Sequence, residues 1–172
     1  MNVFVIGPHR CGTSAVARMI NLCGFYIGEP EELLPPTTDN ETGYWEARWL
    51  VDFNDDLLFL FGSDWCTADR IAPHTLPAPM LQRLWRRAAS WCASMEQHGN
   101  WVSTDPRLCL TAKFWLQVRQ GALVVLCICH PREAVASMMH RTPCPFTSAA
   151  AALAAWRRYV LGAMVDTAGQ PR

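Results

Sequence analysis

Val3-Phe4-Val5-Ile6-Gly7-Pro8-His9-Arg10-Cys11-Gly12-Thr13-Ser14-Ala15-Val16 is the stretch on which the fold turns. Val3 to Ile6 is a short, unbroken apolar run, the pattern of a strand covered on both faces. Gly7 interrupts it and a tight loop follows. From Thr13 the apolar residues take up helical spacing, and Gly24 marks a stop suited to the left-handed cap position. A strand, a small-residue loop and a helix running to about Cys23 therefore follow one another directly.

The alternation recurs further along. Gly28 to Thr42 is rich in Pro, Glu and Thr and reads as a surface loop. A second helix is predicted from about Trp45 to Phe61, with Trp49, Leu50, Phe53, Leu57 and Leu58 on its apolar face. Pro73, Pro77 and Pro79 mark another loop. Met80 to Met95 repeats the helical spacing through Leu81, Leu84, Trp85, Ala88, Trp91 and Cys92. Trp101 to Ser103 reads as a short strand, and Pro106 is placed to open a helix reaching about Arg119. Ala122 to Cys129 is the second clear buried strand. His130-Pro131-Arg132-Glu133 turns into a helix, and a last helix opened by Thr147 or Ser148 reaches about Val165. Strands alternating with long helices predict an α/β layered fold.

The loop has a chemistry of its own. A helix N-terminus carries unpaired N–H groups and a partial positive charge, which favour phosphate or sulfate. Gly12 leaves room for an anion at the backbone, the Thr13 and Ser14 hydroxyls add donors, and Arg10 offers a planar fork. Without a ligand, the same residues are a Gly7-Pro8 turn and a Thr13 N-cap. The spacing nearly matches G-x-x-x-x-G-K-[ST], but Thr13 stands in the lysine slot, which argues against ordinary ATP chemistry.

Composition narrows the field. The 172 residues are 51% hydrophobic with a formal net charge of +0, enough for a core and no pointer to nucleic acid or an anionic membrane. The eight cysteines are scattered without a C-x-x-C pair. Only Cys127 and Cys129 are close, and on a strand they face opposite ways. Reduced thiols in a cytoplasmic protein are the reading. The five histidines are dispersed, so no metal is expected. The first apolar run is too short for a signal peptide. Ala149 to Val165 is alanine-rich, but Arg157 and Arg158 at its centre argue against a membrane span.

Together these segments resemble the sulfotransferase family, which takes its sulfuryl group from 3′-phosphoadenosine 5′-phosphosulfate. The likeness lies closest to bacterial members acting on carbohydrates or small metabolites. Gly7-Pro8-His9-Arg10-Cys11-Gly12-Thr13-Ser14 is similar to the family's 5′-phosphosulfate loop, G-x-x-[RK]-[ST]-G-T-[ST]. Gly43-Tyr44-Trp45-Glu46 resembles its G-Y-[FW]-E. Trp101 to Leu108 resembles a strand ending in K-D-P-R. Cys129-His130-Pro131-Arg132-Glu133 through Ser137 resembles the R-x-P…S block that binds the 3′-phosphate. Two positions depart: Cys129 replaces the arginine of R-x-P, and Thr104 replaces the lysine of K-D-P-R. A lost charge-assisted hydrogen bond costs about 1.5–3 kcal/mol. Ser137 remains, with Arg132 or Arg141 as substitute cations. Family members continue with further strand and helix, so the resemblance implies a sulfotransferase-like domain over residues 1–172 without its C-terminal part.

The implied fold is a P-loop-containing three-layer α/β/α sandwich around a mostly parallel sheet. The implied reaction is in-line transfer of the sulfuryl group to a hydroxyl or amine of a carbohydrate or small-metabolite acceptor. The donor is a co-substrate held by His9, Arg10, Cys11, Gly12, Thr13, Ser14, Arg132 and Ser137. Arg10 stabilises the leaving phosphate and Glu46 takes the acceptor proton, its pKa raised by Trp45 and Trp49. No metal is required. Trp45, Trp49 and Trp65 are candidate acceptor contacts, whereas Trp85, Trp91, Trp115 and Trp156 read as core. Asp105 and Arg107 are an ion pair, acceptor contacts, or a helix cap. A non-catalytic scaffold on the same fold is the alternative, and a P-loop nucleotide kinase a more distant one. The sequence leaves the acceptor and the oligomeric state open.

Overall fold

The computed structural model describes residues 1–38, 40–141 and 143–170. Its elements follow in the order β1 (Asn2–Ile6), α1 (Thr13–Leu22), α2 (Arg48–Phe59), α3 (Ala78–Glu96), β2 (Trp101–Thr104), α4 (Leu108–Val118), β3 (Leu123–Leu126), α5 (Pro131–Met139) and α6 (Ala149–Asp166). Short 3₁₀ turns at Pro30–Glu32 and Pro73–Thr75 shape the two proline-bearing loops. The protein is mixed α/β, with a small sheet in the order β2-β1-β3. Both pairings are parallel: Val3 lies beside Val102 on one side and Leu123 on the other.

Strand periodicity sorts the sheet residues into two faces. Phe4, Ile6, Trp101 and Val124 pack with the apolar residues of α2, α3, α4 and α6. Val3, Val5 and Val102 pack instead with Ala17, Val16 and Ile20 of α1. Both faces are therefore covered, which is why the strands read as apolar runs without alternation. On the larger side α4 is nearly enclosed, with Leu108, Leu110, Phe114 and Trp115 buried. Trp115 meets the rings of Phe53, Trp49 and Trp91 at 5.3, 6.4 and 5.6 Å between centroids. Side chains of this size each contribute roughly 1.5–3 kcal/mol by leaving water. Gly162 brings α6 against the start of α4, since a Cβ there would run into the Cys109 carbonyl oxygen.

Several boundaries differ from the sequence reading. The second helix starts at Arg48 rather than Trp45, because Gly43 and Trp45 both take positive φ (91° and 58°) and turn the chain before it can coil. The helix expected from Pro106 starts at Leu108. Asp105 Oδ1 accepts hydrogen bonds from both the backbone N–H and the guanidinium of Arg107, each at 3.0 Å, and that turn holds Pro106 outside the helix. Gly12, with φ 82°, is the N-cap of α1, and Thr13 is its first helical residue. Trp85 is 40% exposed rather than core. Among the described residues no helix is long and apolar enough to cross a membrane.

Candidate functional site

The β1–α1 loop is fixed from below and open above. Gly7 lies so close to the Cys127 carbonyl oxygen that no side chain fits, and a Cβ there would also sit 2.9 Å from Thr13 Cγ2. The N–H of Cys11 donates to the Pro8 carbonyl at 3.2 Å, closing the turn. Gly12 has open space where a Cβ would be, and no side chain caps the start of α1. The first amides of a helix have no intrahelical acceptor, so the N-terminus of α1 presents donors to whatever lies above it.

Above it is a cavity of about 640 Å³. Its floor is His9, Arg10, Gly12, Thr13, Ser14 and Ala15; Arg18 adds a wall one turn further along α1. Asn40, Thr42, Tyr44, Trp45 and Glu46 also line it, as do Ser137 and Arg141. Arg10 Nε donates to Ser137 Oγ at 2.8 Å, joining the loop to α5. Among the described residues the non-glycine positions with positive φ are Arg10 (66°) and Trp45 (58°), and both line this cavity. Left-handed backbone costs a non-glycine residue roughly 1–2 kcal/mol, and strain of this kind gathers at functional sites.

A smaller cavity of about 300 Å³ adjoins the first, sharing His9, Tyr44, Glu46 and Arg141 and adding Leu34, Pro35, Thr37, Trp65 and Arg107. Glu46 stands where the two meet. It is 6% exposed, and burial together with the nearby Asp105 raises its pKa well above the usual 4.5, against the pull of Arg107 and Arg141. Of the two tryptophans expected to do this, Trp45 lines the larger cavity beside Glu46 and Trp49 lines neither. Trp49 stacks on Trp91 at 5.2 Å, and Trp45 lies under the Arg18 guanidinium, 4.2 Å from the ring centroid.

His9 is flanked by the rings of Trp65 and Tyr159 at 4.6 and 5.4 Å. Its ring touches the cavities, but its Nε2 is enclosed without a hydrogen-bond partner. Burial, with Arg107, Arg141 and Arg10 nearby, drives its pKa well below 6.5 and keeps the imidazole neutral.

Asp105 and Arg107 serve the framework beneath Glu46. Asn54 Nδ2 donates to Asp105 Oδ2 at 2.7 Å, and Arg107 Nε donates to Asp55 at 2.6 Å. Burial works against the Arg107 charge, but Asp105 and Asp55 more than offset it and raise its pKa. Trp115 Nε1 donates to Asn54 Oδ1 at 2.8 Å, tying the cluster to α4. Thr104, at the position of the lysine in K-D-P-R, is spent within the sheet, its hydroxyl donating to the Val5 carbonyl at 2.9 Å.

Two expectations are corrected here. Cys11 and Cys129 form a disulfide, with Cα atoms 5.1 Å apart, where reduced thiols were expected, with Cys11 among the residues holding the donor. The sheet brings together residues 118 apart in sequence, a proximity that cysteine spacing does not reveal. Arg132 does not reach the cavity; it is exposed, and its N–H donates to His130 Nδ1 at 3.3 Å in the α5 cap. Arg141 stands at the cavity instead. Arg18 was missed, although its position four residues after Ser14 puts it on the same helical face. Among the described residues no cluster of His, Cys, Asp and Glu suits a metal ion.

Comparison of the chain with protein-family models, with curated proteins and with solved structures gives no match.

Proposed function

We propose that the chain is a sulfotransferase of the P-loop three-layer α/β/α kind, taking the sulfuryl group from 3′-phosphoadenosine 5′-phosphosulfate. The observation that carries the reading is the uncapped N-terminus of α1 beneath a 640 Å³ cavity, with Arg10 and Ser137 joined at its edge. A space of that size accommodates a nucleotide-sized ligand. The phosphosulfate oxygens accept from the α1 amides and the hydroxyls of Thr13 and Ser14, with the Arg10 guanidinium alongside. Arg141 supplies the cation that Cys129 and Arg132 do not.

The acceptor enters from the smaller cavity, where Trp65, Tyr44 and Leu34 offer the mixed aromatic and apolar wall that suits a carbohydrate or small metabolite. Its hydroxyl attacks sulfur in line with the bond to the departing phosphate, and Glu46 takes the proton. A raised pKa makes Glu46 a stronger base once ionised. Charge growing on adenosine 3′,5′-bisphosphate as it leaves is met by donors already in place, as in an oxyanion hole.

Calorimetric titration with adenosine 3′,5′-bisphosphate tests donor binding, with micromolar affinity expected. Transfer of labelled sulfate to a panel of glycans, lipids and phenols then tests the reaction. Absence of binding at millimolar nucleotide would sink the reading. Binding without transfer to any acceptor favours the non-catalytic alternative, for which the exposed position of Arg132 speaks.

A further inference from the structure

The bridge between Cys11 and Cys129 joins the two sides of the candidate site. Cys11 lies within the β1–α1 loop, between Arg10 and Gly12, whose φ angles are both positive. Cys129 lies between β3 and α5, and α5 carries Ser137, the acceptor of the Arg10 Nε–H. The loop is thus held to α5 twice, once covalently and once by a hydrogen bond to an exposed arginine.

We propose that Cys11 and Cys129 are a reversible thiol–disulfide site that sets the rigidity of the β1–α1 loop. Its consequence for ligand affinity rests on the oxyanion reading of that loop. Access is one-sided. Cys11 is 9% exposed, whereas Cys129 is partly exposed between Ile128, 51% exposed, and His130. The reductant is a dithiol, small or protein-borne. Its thiolate attacks Cys129 Sγ, the S–S bond breaks, and Cys11 departs as a thiolate that takes a proton from water. A thiolate at that point gains from the α1 N-terminus and the neighbouring guanidinium. The second thiol of the reductant then displaces Cys129 from the mixed disulfide. Two electrons and two protons have passed to the protein, and the reductant has become a disulfide.

Reduction leaves the anchors beneath the loop intact, since Gly7 still packs on Cys127 and β1 stays paired on both edges. What is lost is the tie holding Arg10 in its strained backbone beside Gly12. The oxidised form is pre-organised for an anion and the reduced form must order the loop on binding, which lowers affinity.

Hydrogen exchange read by mass spectrometry on the full chain, oxidised and after dithiothreitol, tests the proposal without a ligand. Thiol alkylation confirms the state of Cys11 and Cys129 in each sample. The Cys11 amide, protected by its hydrogen bond to the Pro8 carbonyl, is expected to exchange roughly ten-fold faster after reduction, with β1 and α4 unchanged. Cys129→Ser and Cys11→Ser should reproduce that change without reductant. Equal loop exchange in the two forms overturns the proposal, as does alkylation of both cysteines before reduction or a bridge that yields only on unfolding. Adenosine 3′,5′-bisphosphate is then titrated into both forms, with roughly ten-fold weaker binding expected after reduction. Equal affinity overturns the gate. Binding to neither form overturns the donor reading, while the exchange result still decides the gate.

Discussion

Glu46 and His9 share both cavities and carry opposite electrostatic histories. The Glu46 carboxyl is pushed up by burial and Asp105; the His9 imidazole is pushed down by burial and the arginines around it. A carboxyl with a raised folded pKa contributes stability that is full below its unfolded value, near 4.3, and is lost as pH rises through the folded one. His9 works the other way: its contribution is present above about 6.5 and lost as pH falls. Glu46→Gln should therefore flatten the decline in stability as pH rises above that unfolded value, read as urea midpoints at several pH values. The same variant should remove the ascending limb of the transfer rate against pH and lower the rate roughly 10²–10⁴-fold. An unchanged limb would place the base elsewhere. Arg10→Ala removes a charge-assisted donor worth about 1.5–3 kcal/mol, so adenosine 3′,5′-bisphosphate should bind roughly ten- to a hundred-fold more weakly by calorimetry.

Elements place these residues through a few close approaches. Gly162 lets α6 lie on the first turn of α4, where a Cβ would strike the Cys109 carbonyl. Gly162→Ala should cost about 1–3 kcal/mol by overpacking, measured as a lower denaturation midpoint; no change would mean that α6 shifts freely. The β1–α1 unit was legible in the sequence because burial on both faces writes an apolar run and a helix writes its own period. The ends of elements were less so. Glu46 was singled out from Gly43-Tyr44-Trp45-Glu46, but the share of its perturbation that comes from Asp105 was not, because Asp105 is distant in sequence and reaches Glu46 only through the β2–α4 turn. The start of α4 was misplaced for a related reason: Asp105, also engaged by Asn54, caps the Pro106–Arg107 turn, and α4 itself begins at Leu108. Tertiary partners, unlike periodicity, leave no local trace.

At the scale of the molecule, the Cys11–Cys129 bridge closes a long chain loop and so restricts the unfolded ensemble. Cross-links of this kind typically contribute about 2–4 kcal/mol. Reduced protein should unfold at a lower urea concentration by that margin, while its far-ultraviolet circular dichroism at low urea stays the same. Loss of helical signal on reduction alone would mean that the bridge holds the fold together.

The middle position of β1 has a bearing on how the chain reaches its fold. Val3 finds Val102 on one flank and Leu123 on the other, so neither pairing is local and the centre of the sheet waits for its neighbours. Topologies of this sort mature slowly, on the millisecond-to-second scale. Stopped-flow refolding followed by tryptophan emission should show the aromatic cluster of α2, α3 and α4 quenching late, in step with closure of the sheet.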